Sequence, residues 1–268
     1  MSGTIMAIGG NIRLEGPIME AFYHFSGGAD GRIAILPTAS ERPESGTEYA
    51  HRLDEMGLRG ARSAWVLPVH TRQDTAVPEF LDCIREATGI FITGGNQVRL
   101  AAVLGGTIMH QELLAAHQRG AVIAGSSAGS GALSAVMIAS GHGGPYARQR
   151  IAQFAPGLGL VSNVIFDQHF RQRNRLGRLI FAVACNPGFL GIGIDEDTAA
   201  ILQGNRLRVL GSSAVTIVDG SAITESNVAE AASGQVIAIS GVRLHVLTRG
   251  CTFDLQTRCA SIAEKAGE

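Results

Sequence analysis

Three residues in this sequence have the types and settings that acyl-transfer chemistry requires. Ser127 is the centre of Gly125-Ser126-Ser127-Ala128-Gly129. The apolar "AVIAG" before it reads as a strand and "AGSGALSAVMI" after it as a helix. A sharp strand–turn–helix of this kind lifts a serine oxygen clear of a sheet, and only small neighbours fit around it. The helix that begins there also points free N–H groups at any developing oxyanion, with the Ala128 amide as the natural first donor. The competing reading is a glycine-eased turn, one that could cradle a phosphate. Ser126 and Ser130 then serve as small fillers, either of which could help to bind a ligand.

A second loop has matching character. "IFITGGNQ" places Gly94, Gly95 and Asn96 directly after another strand. Carboxyl ends of parallel strands gather on one edge of a sheet, so the Gly95 amide can face the elbow as a second oxyanion donor.

A serine needs a base, and the base needs an orienting group. Of the histidines, His169 stands out because "VIFDQHF" sets it just past a strand end with polar neighbours. His24, His51, His70, His110, His117, His142 and His245 have no such support. "GIGIDEDTA" runs an apolar strand into Asp195, Glu196 and Asp197, and Glu196 is the residue chosen to hold the imidazole. The chain order Ser, His, Glu differs from that of α/β-hydrolases. It matches the nucleophile–His–Glu order of class I glutamine amidotransferases, with serine in place of cysteine.

These residues must be positioned by an α/β framework. "TIMAIGG", "GRIAILPT", "SAWVLPV", "GIFITGG", "GAVIAGS", "LVSNVIFD" and "FLGIGIDE" read as buried strands. Helices are expected at about 46–57, 78–87, 97–103, 108–118, 128–138 and 172–185. Continuous apolar strands alternating with helices indicate a parallel sheet covered on both faces. Beyond about residue 198, short strands with tight turns indicate antiparallel additions that extend or flank it. The expected fold is an α/β three-layer sandwich. Its sheet is mostly parallel, flavodoxin-like or class I glutamine amidotransferase-like, with antiparallel C-terminal strands, in one domain over 1–268. "SGHGGPYARQR", residues 140–150, reads as a mobile loop because of its glycines.

Composition narrows the function classes. A formal net charge of −1, with no long block of one sign, argues against a nucleic-acid binder that relies on bulk charge. No apolar run is long enough to span a bilayer, and "MSGTIMAIGG" lacks the basic start of a secretion signal. Cys83, Cys185, Cys251 and Cys259 are scattered, with no CxxC pair, which suits reduced thiols in a cytoplasmic protein. Neither nucleotide-binding glycine fingerprint is present.

The blocks "IFITGGNQVRLAAVLGGT", "IAGSSAGSGALSAVMIASG", "APGLGLVSNVIFDQHFRQRNRLGRL" and "GIGIDEDTAAIL" resemble the cyanophycinase family. These are serine peptidases of family S51, related to aspartyl dipeptidases. The resemblance implies Ser127 as nucleophile, His169 as base and Glu196 as its orienting acid. It implies a substrate-facing set of Asn96, Gln97, Asp167, Gln168, Arg173, Arg175 and Arg178. Family members release β-aspartyl-arginine from cyanophycin, a poly-aspartate chain carrying arginine on its side-chain carboxyls. They are cytoplasmic, use no metal or cofactor, and are usually dimers. The cluster "RQRNRLGR" suits that substrate, since guanidinium forks bind carboxylates in bidentate fashion. A wet basic helix face is the plainer reading of the same arginines. The substrate arginine needs an acidic pocket, for which Glu44, Glu48 and Asp195 are candidates. The family commonly has aspartate at the position of Asn96 and an acidic residue after the first glycine pair, which is absent from "IGGNIRLEG". The readings carried forward are a cyanophycin exopeptidase, a related peptidase acting on other aspartyl or isoaspartyl dipeptides, and a non-catalytic binder of an acidic ligand.

Overall fold

The structure is a computed structural model that describes residues 3–42, 44–58 and 64–262. Both ends of the expected 1–268 span therefore lie outside the described residues.

The chain opens with β1 (Ile5–Ile8), α1 (Pro17–Phe25), β2 (Ile33–Leu36), α2 (Thr47–Glu55) and β3 (Ala64–Val66). It continues through α3 (Pro78–Glu86), β4 (Gly89–Ile92), α4 (Gln97–Leu104), α5 (Ile108–Gln118), β5 (Val122–Ser126) and α6 (Ala128–Ala132). Next come β6 (Val136–Gly141), β7 (Ala152–Pro156), β8 (Val164–Gln168), α7 (Leu176–Cys185) and β9 (Leu190–Ile194). The remainder is strand: β10 (Thr198–Gln203), β11 (Arg206–Gly211), β12 (Ala214–Asp219), β13 (Glu225–Ser226), β14 (Ile239–Ser240), β15 (Arg243–Thr248), β16 (Thr252–Asp254) and β17 (Cys259–Ser261).

Among the described residues the main sheet has nine strands in the order β17-β16-β11-β10-β1-β5-β4-β2-β3. The strands β1, β5, β4, β2 and β3 are mutually parallel, and β10, β11, β16 and β17 add on antiparallel beyond β1. Both faces of the parallel part are buried, which is why its strands read as unbroken apolar runs. Met6, Ile8, Ile33, Ile35 and Phe91 pack under α1 and α2 through Ile18, Phe22, Ala50 and Leu53. The opposite side chains, among them Ile5, Leu36, Ile90 and Ile92, meet Leu81, Leu100 and Leu113 of α3, α4 and α5.

A second sheet, β15-β12-β9-β8, lies on that same side. Its Val164, Phe166, Ile192, Ile194 and Ile217 join the core beneath the main sheet. The helix α7 covers its other face through Leu179 and Val183 against Ile165 and Val218. Each fully buried chain of this size contributes roughly 1.5–3 kcal/mol, so the two sheets are firmly seated on each other.

The architecture is the expected mixed α/β fold, with four differences in detail. The strands β8 and β9 pair with each other, not with the main parallel sheet. The helix expected at 128–138 stops at Ala132, and Val136–Gly141 instead forms a hairpin with Ala152–Pro156. The helix α1 was not anticipated, although Pro17 stands at its first turn, where a missing N–H costs nothing. The loop 140–150 is packed against the arginine turn. A Cβ on Gly143 would stand 2.1 Å from the Arg173 carbonyl oxygen, so that glycine permits close approach.

Candidate active site

The strand β5 ends at Ser126, and the chain turns at Ser127 with φ 51° and ψ −112°. A non-glycine residue rarely adopts this conformation, and such strain gathers at functional sites. Asn11 (47°), His169 (46°) and Asp197 (48°) also have positive φ; His169 meets Ser127 directly, while Asn11 bonds Glu196, the neighbour of Asp197. The glycines of the elbow are there for contact. A Cβ on Gly129 would lie 2.4 Å from the Ile92 carbonyl oxygen, and one on Gly125 would lie 2.5 Å from the Gly129 carbonyl carbon. The helix α6 can therefore pack directly on the end of β4.

The Ser127 hydroxyl lies 2.7 Å from Nε2 of His169, and Nδ1 of His169 lies 2.7 Å from Oε1 of Glu196. His169 follows β8 and Glu196 follows β9, so Ser127 and His169 come from different sheets. The sequence reading expected them on one sheet rim; the site instead spans the seam between two sheets. Backbone bonds lock the arrangement. The His169 N–H donates to Gly9 O at 2.9 Å, and the Ser127 N–H donates to Ile8 O at 3.0 Å.

Burial pushes the His169 pKa below its ordinary value of 6.5, with Arg173 acting in the same direction against the pull of Glu196. The imidazole is thereby neutral near pH 7, as a proton acceptor must be. The hydrogen bond from His169 is the main reason the Glu196 carboxyl is held below its ordinary value, so it stays a carboxylate.

The Gly94–Gly95 loop lies against the serine: a Cβ on Gly94 would be 3.4 Å from Ser127 Cβ. Among the described residues, neither the Gly95 nor the Ala128 N–H donates a backbone hydrogen bond. A cavity of about 570 Å³ opens beside this loop, lined by Ser40, Glu41, Arg42, Glu48, Tyr49 and Asn96 among others. Desolvation raises the Tyr49 pKa to about 12, so this wall stays neutral while Glu41 and Glu48 supply negative charge.

The other expected site residues separate into open and engaged groups. Arg173 is exposed beside His169. Gln168 is buried, with its amide end near Gly131 of α6. Asn96 caps α4, its Oδ1 accepting from Val98 N at 2.9 Å and Arg99 N at 3.1 Å. Aspartate would cap equally well, so the cap explains why either residue fits. Gln97 was expected to face substrate, but its amide nitrogen donates to the Ile138 and Ala139 carbonyls at 3.1 and 2.9 Å.

Asp167, Arg175 and Arg178 are the clearest correction. Asp167 is 0% exposed, and Arg178 Nε donates to its Oδ2 at 2.7 Å. Arg175 reaches the same carboxylate at 3.3 Å and also bonds the Gln168 carbonyl. The three form an internal ion cluster behind His169, neither open to substrate nor a wet helix face. Asp195 is likewise spent, accepting from Arg171 N and Ser213 Oγ, so of the three acids expected for the substrate arginine Glu48 is the one that lines this cavity, together with Glu41. Sequence reasoning missed Gly10 and Asn11, which touch His169 and Glu196, although the glycine pair after the first strand was a usable signal.

Comparison with known proteins bears on this geometry. Residues 5–210 match the model of peptidase family S51. A cyanophycinase of Geminocystis herdmanii is 36% identical over 262 residues, covering 96% of this chain and 95% of the relative. One from Synechococcus elongatus is 38% identical over 95% of this chain and 80% of the relative. One from Trichormus variabilis is 37% identical over 95% and 86%. Among solved structures, a peptidase from an acI-B1 actinobacterium superposes with a TM-score of 0.67, at 23% identity over 95% of this chain and 97% of the other. A putative peptidase E from Listeria monocytogenes superposes with a TM-score of 0.53, at 17% identity over 80% and 100%. These last two likenesses bear on the fold alone.

Proposed function

The chain belongs to peptidase family S51 and is a serine-type peptidase, and from that premise we propose that it hydrolyses cyanophycin to β-Asp-Arg dipeptides through Ser127, His169 and Glu196. One observation carries the reading: the unbroken hydrogen-bond chain from the Ser127 hydroxyl through both nitrogens of His169 to Glu196. A pure binder of acidic ligands has no use for that chain.

In this reading Ser127 Oγ attacks the aspartyl carbonyl carbon while its proton passes to His169 Nε2. The Glu196 carboxylate stabilises the imidazolium that forms. The Gly95 and Ala128 amides receive the oxyanion, a type of contact worth roughly 10²–10³ in rate per donor. His169 then gives its proton to the leaving amine, and water hydrolyses the acyl-enzyme by the same steps.

Arg173, exposed beside His169, takes the carboxylates of the poly-aspartate chain. Glu48, in the cavity beside Gly95, takes the guanidinium of the substrate arginine. A cytoplasmic location and a homodimer accompany this reading as properties that the family resemblance implies. Among the described residues no helix is long and apolar enough to cross a membrane.

The test is to incubate the purified protein with cyanophycin, assay β-Asp-Arg, and repeat with Ser127→Ala. Release by the wild type and none by the variant supports the mechanism. Release by both rejects Ser127 as nucleophile. No release by the wild type moves the activity to other aspartyl or isoaspartyl dipeptides.

A further inference from the structure

Three consecutive carbonyls at the end of β1 each hold one reactive turn. Ile8 O accepts from Ser127 N at 3.0 Å, Gly9 O from His169 N at 2.9 Å, and Gly10 O from Asp197 N at 2.9 Å. The next residue, Asn11, continues the pattern with its side chain. Its Nδ2 donates to Oε2 of Glu196 at 3.1 Å, the carboxylate oxygen that His169 leaves unused. Asn11 has φ 47°, in the left-handed region that asparagine tolerates better than most residues. Its residue type therefore suits both its backbone and its contact.

We propose that Asn11 is a positioning residue, holding the Glu196 carboxylate in the orientation that presents Oε1 to the imidazole. The proposal rests on the reading of Ser127, His169 and Glu196 as a catalytic triad. The Glu196 side chain is 28% exposed, so without a fixed donor water competes for Oε2 and the carboxylate can rotate. The Glu196 N–H is itself held by Gln172 Oε1 at 3.2 Å, which fixes the backbone while leaving the side-chain torsions to Asn11. The charged groups around the pair are Arg173, which faces both His169 and Glu196, and Arg175, which faces His169. Asp197 is taken up by Arg13 at 3.4 Å. Asn11 is thus a neutral donor at a carboxylate already bonded to a base. An acidic residue there would add a second negative charge against it.

Two substitutions keep the backbone while changing the contact. Asn11→Gly preserves a positive φ and removes the amide; Asn11→Asp preserves the shape and replaces the donor with a carboxylate. The readouts are kcat and KM on cyanophycin and the His169 titration by NMR of ¹⁵N-histidine-labelled protein, assigned with His169→Gln. Asn11→Gly is expected to lower kcat about ten-fold with KM within about two-fold, as for other residues that orient a catalytic ligand. Asn11→Asp is expected to lower kcat further and to raise the His169 midpoint by about half a pH unit or more, because added negative charge favours the imidazolium. An unshifted titration in Asn11→Asp overturns the proposal, and so does a shifted titration with wild-type kcat in both variants. If the wild type leaves cyanophycin intact, the substrate reading fails by itself. The titration then still decides: a shift supports the contact and its absence overturns it.

Discussion

The Ser127 hydroxyl and the His169 imidazole stand 2.7 Å apart although one ends a strand of the main sheet and the other a strand of the smaller sheet. The site is thus a joint, and its precision depends on how firmly the two sheets are packed. Phe166 and Ile194, both essentially unexposed, stand one to three residues from the turns that carry His169 and Glu196. Core packing and the geometry of Ser127, His169 and Glu196 are therefore coupled through very short stretches of chain.

The first prediction concerns pH. Burial holds the His169 pKa below 6.5, and the base works only when neutral. Activity is therefore present above that depressed midpoint and lost as pH falls through it. A kcat/KM profile on cyanophycin should show an acidic limb centred below pH 6.5. Glu196→Gln removes the partner that raises the imidazole pKa, so the limb should move lower still while kcat falls roughly 10³–10⁴-fold. A limb centred above 6.5 in the wild type would contradict the assignment.

The second prediction separates arginines that look alike in sequence. Arg173→Ala should raise KM about ten-fold or more and leave the melting temperature unchanged, because the side chain is exposed. Arg178→Ala leaves the buried Asp167 carboxylate without its bidentate partner and should cost about 3–5 kcal/mol of stability. Thermal melts and steady-state kinetics on both variants decide the matter. Equal effects on KM with equal stability would mean that both guanidiniums reach substrate.

The third prediction addresses the arginine-bearing side of the substrate. Glu48→Gln keeps the size of the side chain and deletes its charge. Loss of a charge-assisted hydrogen bond is worth about 1.5–3 kcal/mol, which is roughly ten-fold or more in KM with kcat little changed. Glu44→Gln, at an exposed position that does not line the cavity, serves as the control. Parallel behaviour of the two variants would place the guanidinium elsewhere.

How far the sequence disclosed all this depends on what kind of signal each residue left. Ser127, His169 and Glu196 were legible because each interrupts an apolar strand end with a chemistry-bearing side chain, a local event. The partition into two sheets was not legible. β8 and β9 carry the same continuous apolar pattern as the main strands, and parallel pairing is set by contacts far away in sequence. Arg175 and Arg178 were placed toward substrate by the resemblance, or on a wet helix face by their charge, because no local pattern reveals that Asp167 of β8 binds both inside the fold. Gly143 shows that a glycine can mark a close backbone contact that sequence alone does not reveal.

The glycine pair after β1 yields the fourth prediction, and the most stringent. Gly10 has φ 98°, and a Cβ built there would stand 2.4 Å from Cε1 and 2.6 Å from Nε2 of His169. Gly10→Ala must therefore push the imidazole away from Ser127 or distort the turn that bears it. Overpacking of this sort costs roughly 1–3 kcal/mol, well within the roughly 5–15 kcal/mol stability of an ordinary domain. The variant should fold, with a circular dichroism spectrum like that of the wild type. A displacement of about 1 Å at a catalytic base costs on the order of 10²-fold in rate, so turnover should fall by at least that factor while substrate still binds. A folded Gly10→Ala protein with wild-type turnover would mean that the imidazole does not sit over this glycine, and the geometry on which the mechanism depends would have to be redrawn.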